Sequence, residues 1–498
     1  MAMSSVVQTK QGTVRGAQIE GIHVFKGMAY AATPFGPNRL MPPKPVEPWT
    51  GVRDALAFGP KSPQLPYPPP VDVLVPELTV SGEDCLTLNV WSPELGSANR
   101  PVMVWIPGGM FEYHATGASP WYDGSRFARD GIVCVTINYR VAADGFLYLG
   151  EDNANRGLLD QIAALEWVQD NIASFGGDPG NVTVFGESAG AISIGALLSM
   201  PRTRGLFRRA IAQSGAAHHA ISVGTAQRVA QRLCEQLGVE LSREAIAAIP
   251  TERLLQAQAA LRGELVLHPD PERWGPEVVT AMLPWQPVID GRLLPERPID
   301  RITAGAASNI DLLIGTNVEE HRLFLVSSGA IDQIRHETVV GALAGYGLPV
   351  EEMLAAYQAA HPEASAGDLL AALQTDWYWR IPAIRLADAH ANRASKTYMY
   401  EFAWRSPQFN GRLGACHALE IAFVFDTLGH ATEPLMGSEP PQELADAMHA
   451  AWVAFAATGD CGWPSYDLDR RATMRFDTIS HVVDDPRSAE RALWEGLR

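Results

Sequence analysis

The residues best placed to do chemistry are Gly186-Glu187-Ser188-Ala189-Gly190, a serine flanked by two glycines. A serine hydroxyl is a weak nucleophile at neutral pH and attacks a carbonyl carbon only when a neighbouring base takes its proton. Gly-x-Ser-x-Gly serves that chemistry by holding the serine on a sharp strand-to-helix turn, whose glycines let strand and helix approach closely. In a chain with 44 glycines the spacing alone is a weak signal, so the context carries it. The apolar run 182–185 leads straight into the pentapeptide, and the small, then apolar, run 189–200 continues as a helix. Strand, elbow and helix therefore come in the order the turn requires. Glu187, inside the elbow, is a supporting carboxylate next to the nucleophile.

Acyl transfer also needs donors for the developing oxyanion, and backbone N–H groups supply them at about 10²–10³ in rate each. The run 101–106 ends in Pro107-Gly108-Gly109-Met110-Phe111, a glycine pair just past a buried strand and upstream of the serine. On its own it reads as a tight turn; beside Ser188 it points to N–H donors from Gly109, Met110 and Ala189. In an elbow of this kind the acid and then the base follow the serine in the chain. Eight of the 13 histidines lie beyond residue 320: His321, His336, His361, His390, His417, His430, His449 and His481. Spacing does not choose among them, although His417 lies between the predicted strand 397–404 and the apolar run 421–425, a loop beside core. Glu319 and Glu320 follow the predicted strand 310–314 and the turn Gly315-Thr316-Asn317, and either fits the acid.

The elements that must position these groups read as a large, mostly parallel sheet. Nearly continuous apolar runs at 101–106, 131–139, 182–185 and 310–314 are the pattern of strands covered on both faces by helices. Short alternating runs at 6–9, 12–15 and 23–27 predict an antiparallel entry to that sheet. Residues 158–175 carry apolar side chains at helical spacing and stop at Gly176-Gly177. The stretches 225–261 and 328–390 are rich in Ala, Leu and Glu and predict helical insertions over the active-site face, while 63–76, heavy in proline, predicts an irregular loop. All 498 residues are expected to form one catalytic domain.

Composition narrows the partners. A net charge of −17 repels nucleic acid and anionic lipid. No apolar run approaches the ~18–20 residues needed to span a bilayer, and residues 1–21 lack the pattern of a leader peptide. The five cysteines Cys85, Cys134, Cys234, Cys416 and Cys461 show neither CxxC pairing nor metal-ligand spacing and suit a reducing compartment. The expectation is a cytoplasmic monomer or small homo-oligomer that binds a small molecule and needs neither metal nor organic cofactor.

Taken together, the chain resembles the type-B carboxylesterase family, the group of bacterial p-nitrobenzyl esterases and cholinesterases. The matching segments include Glu83-Asp84-Cys85-Leu86, Asn138-Tyr139-Arg140, Gly157-Leu158-Leu159-Asp160, Phe175-Gly176-Gly177-Asp178-Pro179, Phe185 to Gly190, Ala212-Gln213-Ser214-Gly215 and Thr458-Gly459-Asp460. The resemblance implies an α/β-hydrolase fold and hydrolysis of carboxylic esters through an acyl-enzyme, and the aromatic and aliphatic residues of the expected pocket loops point to uncharged, fairly apolar esters; the alternatives are a carbamate or amide hydrolase with the same triad and, remotely, a non-catalytic binding protein of the same fold. It implies Ser188 as nucleophile, Glu320 as acid and His417 as base, and a hydroxyl from Ser214 near Glu320. It further implies Arg39–Glu83 and Arg140–Asp376 ion pairs. Phe111, Phe324, Phe423 and Phe425 are candidates for an apolar pocket, and each equally fits plain core.

Three departures stand out. Met110 occupies the third glycine position of the family's His-Gly-Gly-Gly-Phe, which should narrow the pocket. His321 replaces a glycine beside the acid. Cys85 matches a cysteine that closes a loop in secreted members, but no cysteine precedes it here.

Overall fold

The computed structural model describes residues 3–391 and 393–497. Among them, thirteen strands form one sheet. Its middle is parallel: Val133–Ile137, Arg100–Ile106, Gly177–Glu187, Arg209–Gln213, Asp311–Asn317, Thr397–Phe402 and Ala472–Phe476 lie side by side in that order. Antiparallel strands flank this block, with Met3–Gln8, Thr13–Ile19, Ile22–Ala29 and Thr87–Ser92 on one side and His481–Asp484 on the other.

Alternation along the parallel strands sorts side chains into two cores. Val102, Val104 and Ile106 face one, as do Val182, Val184, Leu312 and Ile314, while Met103, Trp105, Phe185 and Leu313 face the other. Both faces are thus buried, which is why the runs read as continuously apolar. The predicted helix at 158–175 is Arg156–Asn171 followed by a 3₁₀ turn, Ile172–Phe175, and Gly176 ends it at φ +85°. The proline-rich loop holds one short helix, Val71–Leu74. The 225–261 region forms Val223–Leu237, Arg243–Ala247 and Thr251–Leu267; the 328–390 region forms five helical segments from His336–Gly345 to Ile381–His390. Among the described residues, no helix is long and apolar enough to cross a membrane.

Strand Arg100–Ile106 lies between Val133–Ile137, the next strand in the chain, and Gly177–Glu187, the one after that. Chain order reverses there, and in open parallel sheets the crevice at the carboxyl ends of such strands is where ligands bind. The loop 107–111 and Ser188 both leave the sheet at this point.

Two predicted ion pairs are corrected. Arg140 pairs with Asp160 at 2.7 and 2.8 Å, both side chains fully buried, and Asp376 instead bonds Arg380 and the Tyr357 hydroxyl. The parallel sheet brings the end of strand Val133–Ile137 onto helix Arg156–Asn171, so Asp160 is the neighbour that reaches Arg140. Arg39 lies 3.5 Å from Asp144 and bonds the Ile249 carbonyl, so its partner is not Glu83.

Candidate active site

Ser188 sits between strand Gly177–Glu187 and helix Ala189–Ser199 with φ 55° and ψ −121°, a conformation a side chain-bearing residue adopts only when its surroundings enforce it. Those surroundings are visible. A Cβ on Gly190 would overlap the Ile106 carbonyl, one on Gly186 would lie 2.6 Å from the same oxygen, and one on Gly215 would lie 2.6 Å from the Ser188 carbonyl. The Ser188 N–H donates to the Gln213 carbonyl at 2.9 Å, tying the elbow to the neighbouring strand.

Gly108 packs against Glu187 and Ser188, where a Cβ would meet the Glu187 carbonyl at 2.7 Å. Past it the loop turns through positive φ at Gly109 (+107°), Met110 (+58°) and Phe111 (+59°). Ala189 opens its helix, so its N–H is one of those a helix start leaves without an intrahelical partner. The candidate donors Gly109, Met110 and Ala189 therefore all border the nucleophile.

The two acidic candidates have different surroundings. Glu320 is fully buried; its Oε2 lies 2.6 Å from His417 Nδ1 and its Oε1 accepts from the Asn317 N–H at 2.8 Å. A carboxylate accepts there, so the ring proton sits on Nδ1. Glu319 instead accepts from the Ala415 N–H at 3.0 Å and pairs with Arg322 and Arg405, clamping the loop of the acid to the loop of the base. Ser214 makes no side-chain hydrogen bond to Glu320; its hydroxyl is buried without a partner while its N–H bonds Gly315.

On the far side of the imidazole, Nε2 lies 3.0 Å from Glu187 Oε1, and Ser188 Oγ makes no hydrogen bond to it among the described residues. Burial pushes Glu187 up to about 8, against the pull of His417, and Glu420 and Glu320 add to the rise. Burial works against a charged His417, yet Glu187 and Glu320 outweigh it and raise the imidazole to about 9. Both groups are thus shifted toward their protonated forms. Glu420, which sequence reasoning passed over, is a third buried carboxylate here, held by Asn317 at 2.7 Å and Gln213 at 3.2 Å.

Two cavity lobes open on the serine. The larger, about 240 Å³, is lined by Met110, Ser188, Ile192, Arg262, His321 and Tyr378 among others; the smaller, about 30 Å³, by Gly109, His114, Tyr122 and Glu187 among others. Met110, Ser188, Phe324 and His417 border both. Of the four phenylalanines, only Phe324 reaches the site. Phe111 packs on Phe146 at 4.8 Å, Phe423 lies between Phe402 and Trp404, and Phe425 meets Trp105 and Phe185. Phe111, Phe423 and Phe425 are core.

The wall they were expected to form comes from elsewhere. A single π-helical turn, Asp376–Arg380, brings Tyr378 and Trp379 over the base, with Trp379 5.1 Å from His417 and stacked on Phe324. Such turns break helical regularity and recur at functional sites. The one sequence cue was the aromatic run Trp377-Tyr378-Trp379 inside a helical stretch. A larger cavity of about 500 Å³ lies behind Glu319 among mutually paired charges and does not include Ser188. Among the described residues, no three His, Cys, Asp or Glu side chains are grouped to hold a metal ion.

Comparison with known proteins shows similarity along nearly the whole chain. Residues 3–494 match the Carboxylesterase family. The chain is 39% identical to the para-nitrobenzyl esterase of Bacillus subtilis, over 98% of this chain and 97% of the relative. It is 35% identical to the phenmedipham hydrolase of Pseudarthrobacter oxydans, over 99% and 97%. Among solved structures, a carboxylesterase of Geobacillus stearothermophilus superposes with a TM-score of 0.85 at 39% identity, covering 98% of this chain and 99% of that one.

Proposed function

Since the chain belongs to the carboxylesterase family, has the α/β-hydrolase fold and is a carboxylic-ester hydrolase, we propose that it works through an acyl-enzyme on Ser188 and takes esters with apolar acyl or alcohol groups. The observation that carries this reading is the joint placement of a strained serine elbow, free N–H donors and a carboxylate-bound imidazole around one cavity. His417 takes the Ser188 proton as Oγ attacks the carbonyl carbon, and Glu320 holds the ring with its proton on Nδ1 and supports the imidazolium. The N–H groups of Gly109, Met110 and Ala189 receive the oxyanion. The alcohol leaves with the proton carried by Nε2, and water activated by the same nitrogen releases the acid. In the arrangement described, Nε2 faces Glu187, so the ring shifts by a small amount onto Ser188 Oγ when substrate fills the cavity, as catalytic hydrogen bonds commonly tighten on binding.

A panel of p-nitrophenyl esters of increasing acyl length, run beside an aryl carbamate and an anilide, tests the reading. Highest kcat/KM on a neutral ester, falling once the acyl chain outgrows a cavity of about 240 Å³, is the expected result. Faster turnover of the carbamate or anilide than of every ester would contradict it.

A further inference from the structure

The larger lobe carries one formal charge that the proposed chemistry does not use. Arg262, on helix Thr251–Leu267, lines the cavity together with Ser188, and no carboxylate lines that lobe. Its Nη1 donates to the Met282 carbonyl at 2.8 Å, which fixes the guanidinium at the wall. Among the described residues its one acidic partner is Glu112, 3.4 Å away on the loop that follows Met110, and Glu112 Oε1 is buried there without a hydrogen-bond partner. Burial pushes Glu112 up to about 7 in spite of Arg262, so near neutrality this counter-ion is half protonated. Of the other polar groups around the lobe, which include His219, His321, Gln374 and Tyr378, His321 is held down to about 3 by burial and then by His417. The site thus has an apolar body and, besides the catalytic imidazole, one partly compensated cation within reach of its nucleophile.

We propose that Arg262 reads an anionic tail, so that the substrates include esters bearing a carboxylate at the end remote from the scissile bond. The inference rests on the esterase reading and deepens it: apolar walls take the chain between ester and carboxylate, and the guanidinium fork takes the carboxylate. The net charge of −17 opposes such a ligand at long range, but that field is screened beyond about 8 Å in physiological salt, whereas the pairing inside the cavity is not.

The test compares each half-ester with a neutral ester of equal length. One series places the carboxylate on the acyl side, as mono-p-nitrophenyl adipate and its longer homologues, which avoid the easy anhydride closure of shorter diacids; a second places it on the alcohol side. In Arg262→Gln, the half-ester to neutral-ester ratio of kcat/KM should fall about tenfold or more in one series, through KM rather than kcat, and Arg262→Lys should retain most of it. A ratio that moves in neither series, or that falls as far in Arg262→Lys as in Arg262→Gln, overturns the inference while hydrolysis of the neutral ester keeps the esterase reading. A protein that hydrolyses neither class overturns both.

Discussion

Met110 holds a left-handed backbone conformation, φ +58°, at the boundary of both cavity lobes. That conformation costs a residue with a side chain about 1–2 kcal/mol, and glycine adopts it freely. The main chain, not the thioether, supplies the oxyanion donor, so Met110→Gly should keep the donor and open space next to the tetrahedral carbon. We expect the tert-butyl to ethyl ester ratio of kcat/KM to rise about tenfold or more, within the range one methylene-sized change in a pocket can give; an unmoved ratio would show that Met110 does not limit branched alcohols. At the base, the sign of the pH dependence follows from Glu187. His417 must be neutral to accept the Ser188 proton, and two carboxylates raise it to about 9, so kcat/KM should still be climbing above the ordinary histidine value of about 6.5. Glu187→Gln removes one anion, favours neutral imidazole and should move the acid limb to lower pH. A pH profile of p-nitrophenyl ester hydrolysis in both proteins decides it, and a limb that stays put would contradict the charge assignment.

At the scale of elements, the elbow depends on backbone proximity that tolerates no Cβ. Gly190→Ala would press on the Ile106 carbonyl, and overpacking of this kind costs about 1–3 kcal/mol. The expected result is a lower Tm together with a loss of activity well beyond what partial unfolding explains, because strand and helix must separate where they aim Ser188. Unchanged Tm and activity would mean that the elbow is looser than described. This junction was legible in the sequence because its causes are local: an apolar strand, two glycines and a small-residue helix, all within residues 182–200. The identity of the acid was less so. Glu319 and Glu320 are one residue apart, and only the partners brought by the strand 397–402 side of the sheet, His417 for one and Ala415 and Arg405 for the other, tell them apart. The pocket wall left only the aromatic run 377–379 as a cue, since Arg262 and Trp379 come from separate insertions whose helices otherwise show only their own apolar faces in the sequence. For the same reason Phe111 and Phe423 were open to misplacement: an aromatic near a catalytic motif reads alike whether it faces the cavity or the core. The partner of Arg140 failed differently, because the resemblance pointed to Asp376, whereas the crossover onto helix Arg156–Asn171 brings Asp160 to it.

Across the whole molecule, one core cluster runs from the sheet into both helical insertions, joining Val104 and Ile314 to Leu233, Leu261, Leu343 and Leu373. The insertions that wall the pocket are therefore anchored to the sheet that carries the elbow, and the serine, the base and the wall are held relative to one another. Among the described residues the one other serine at positive φ, Ser214, has a buried hydroxyl with no hydrogen-bond partner, so a single activated nucleophile is predicted in a chain of 54.0 kDa. The most direct measurement is intact-mass analysis after treatment with an organophosphate or sulfonyl fluoride, with peptide mapping of the product and the same assay on Ser188→Ala. One adduct per chain, located on Ser188, and a fall of about 10⁶ in kcat for the alanine variant are predicted. An adduct elsewhere, no adduct, or an alanine variant that retains its esterase activity would contradict the claim that Ser188 carries the reaction.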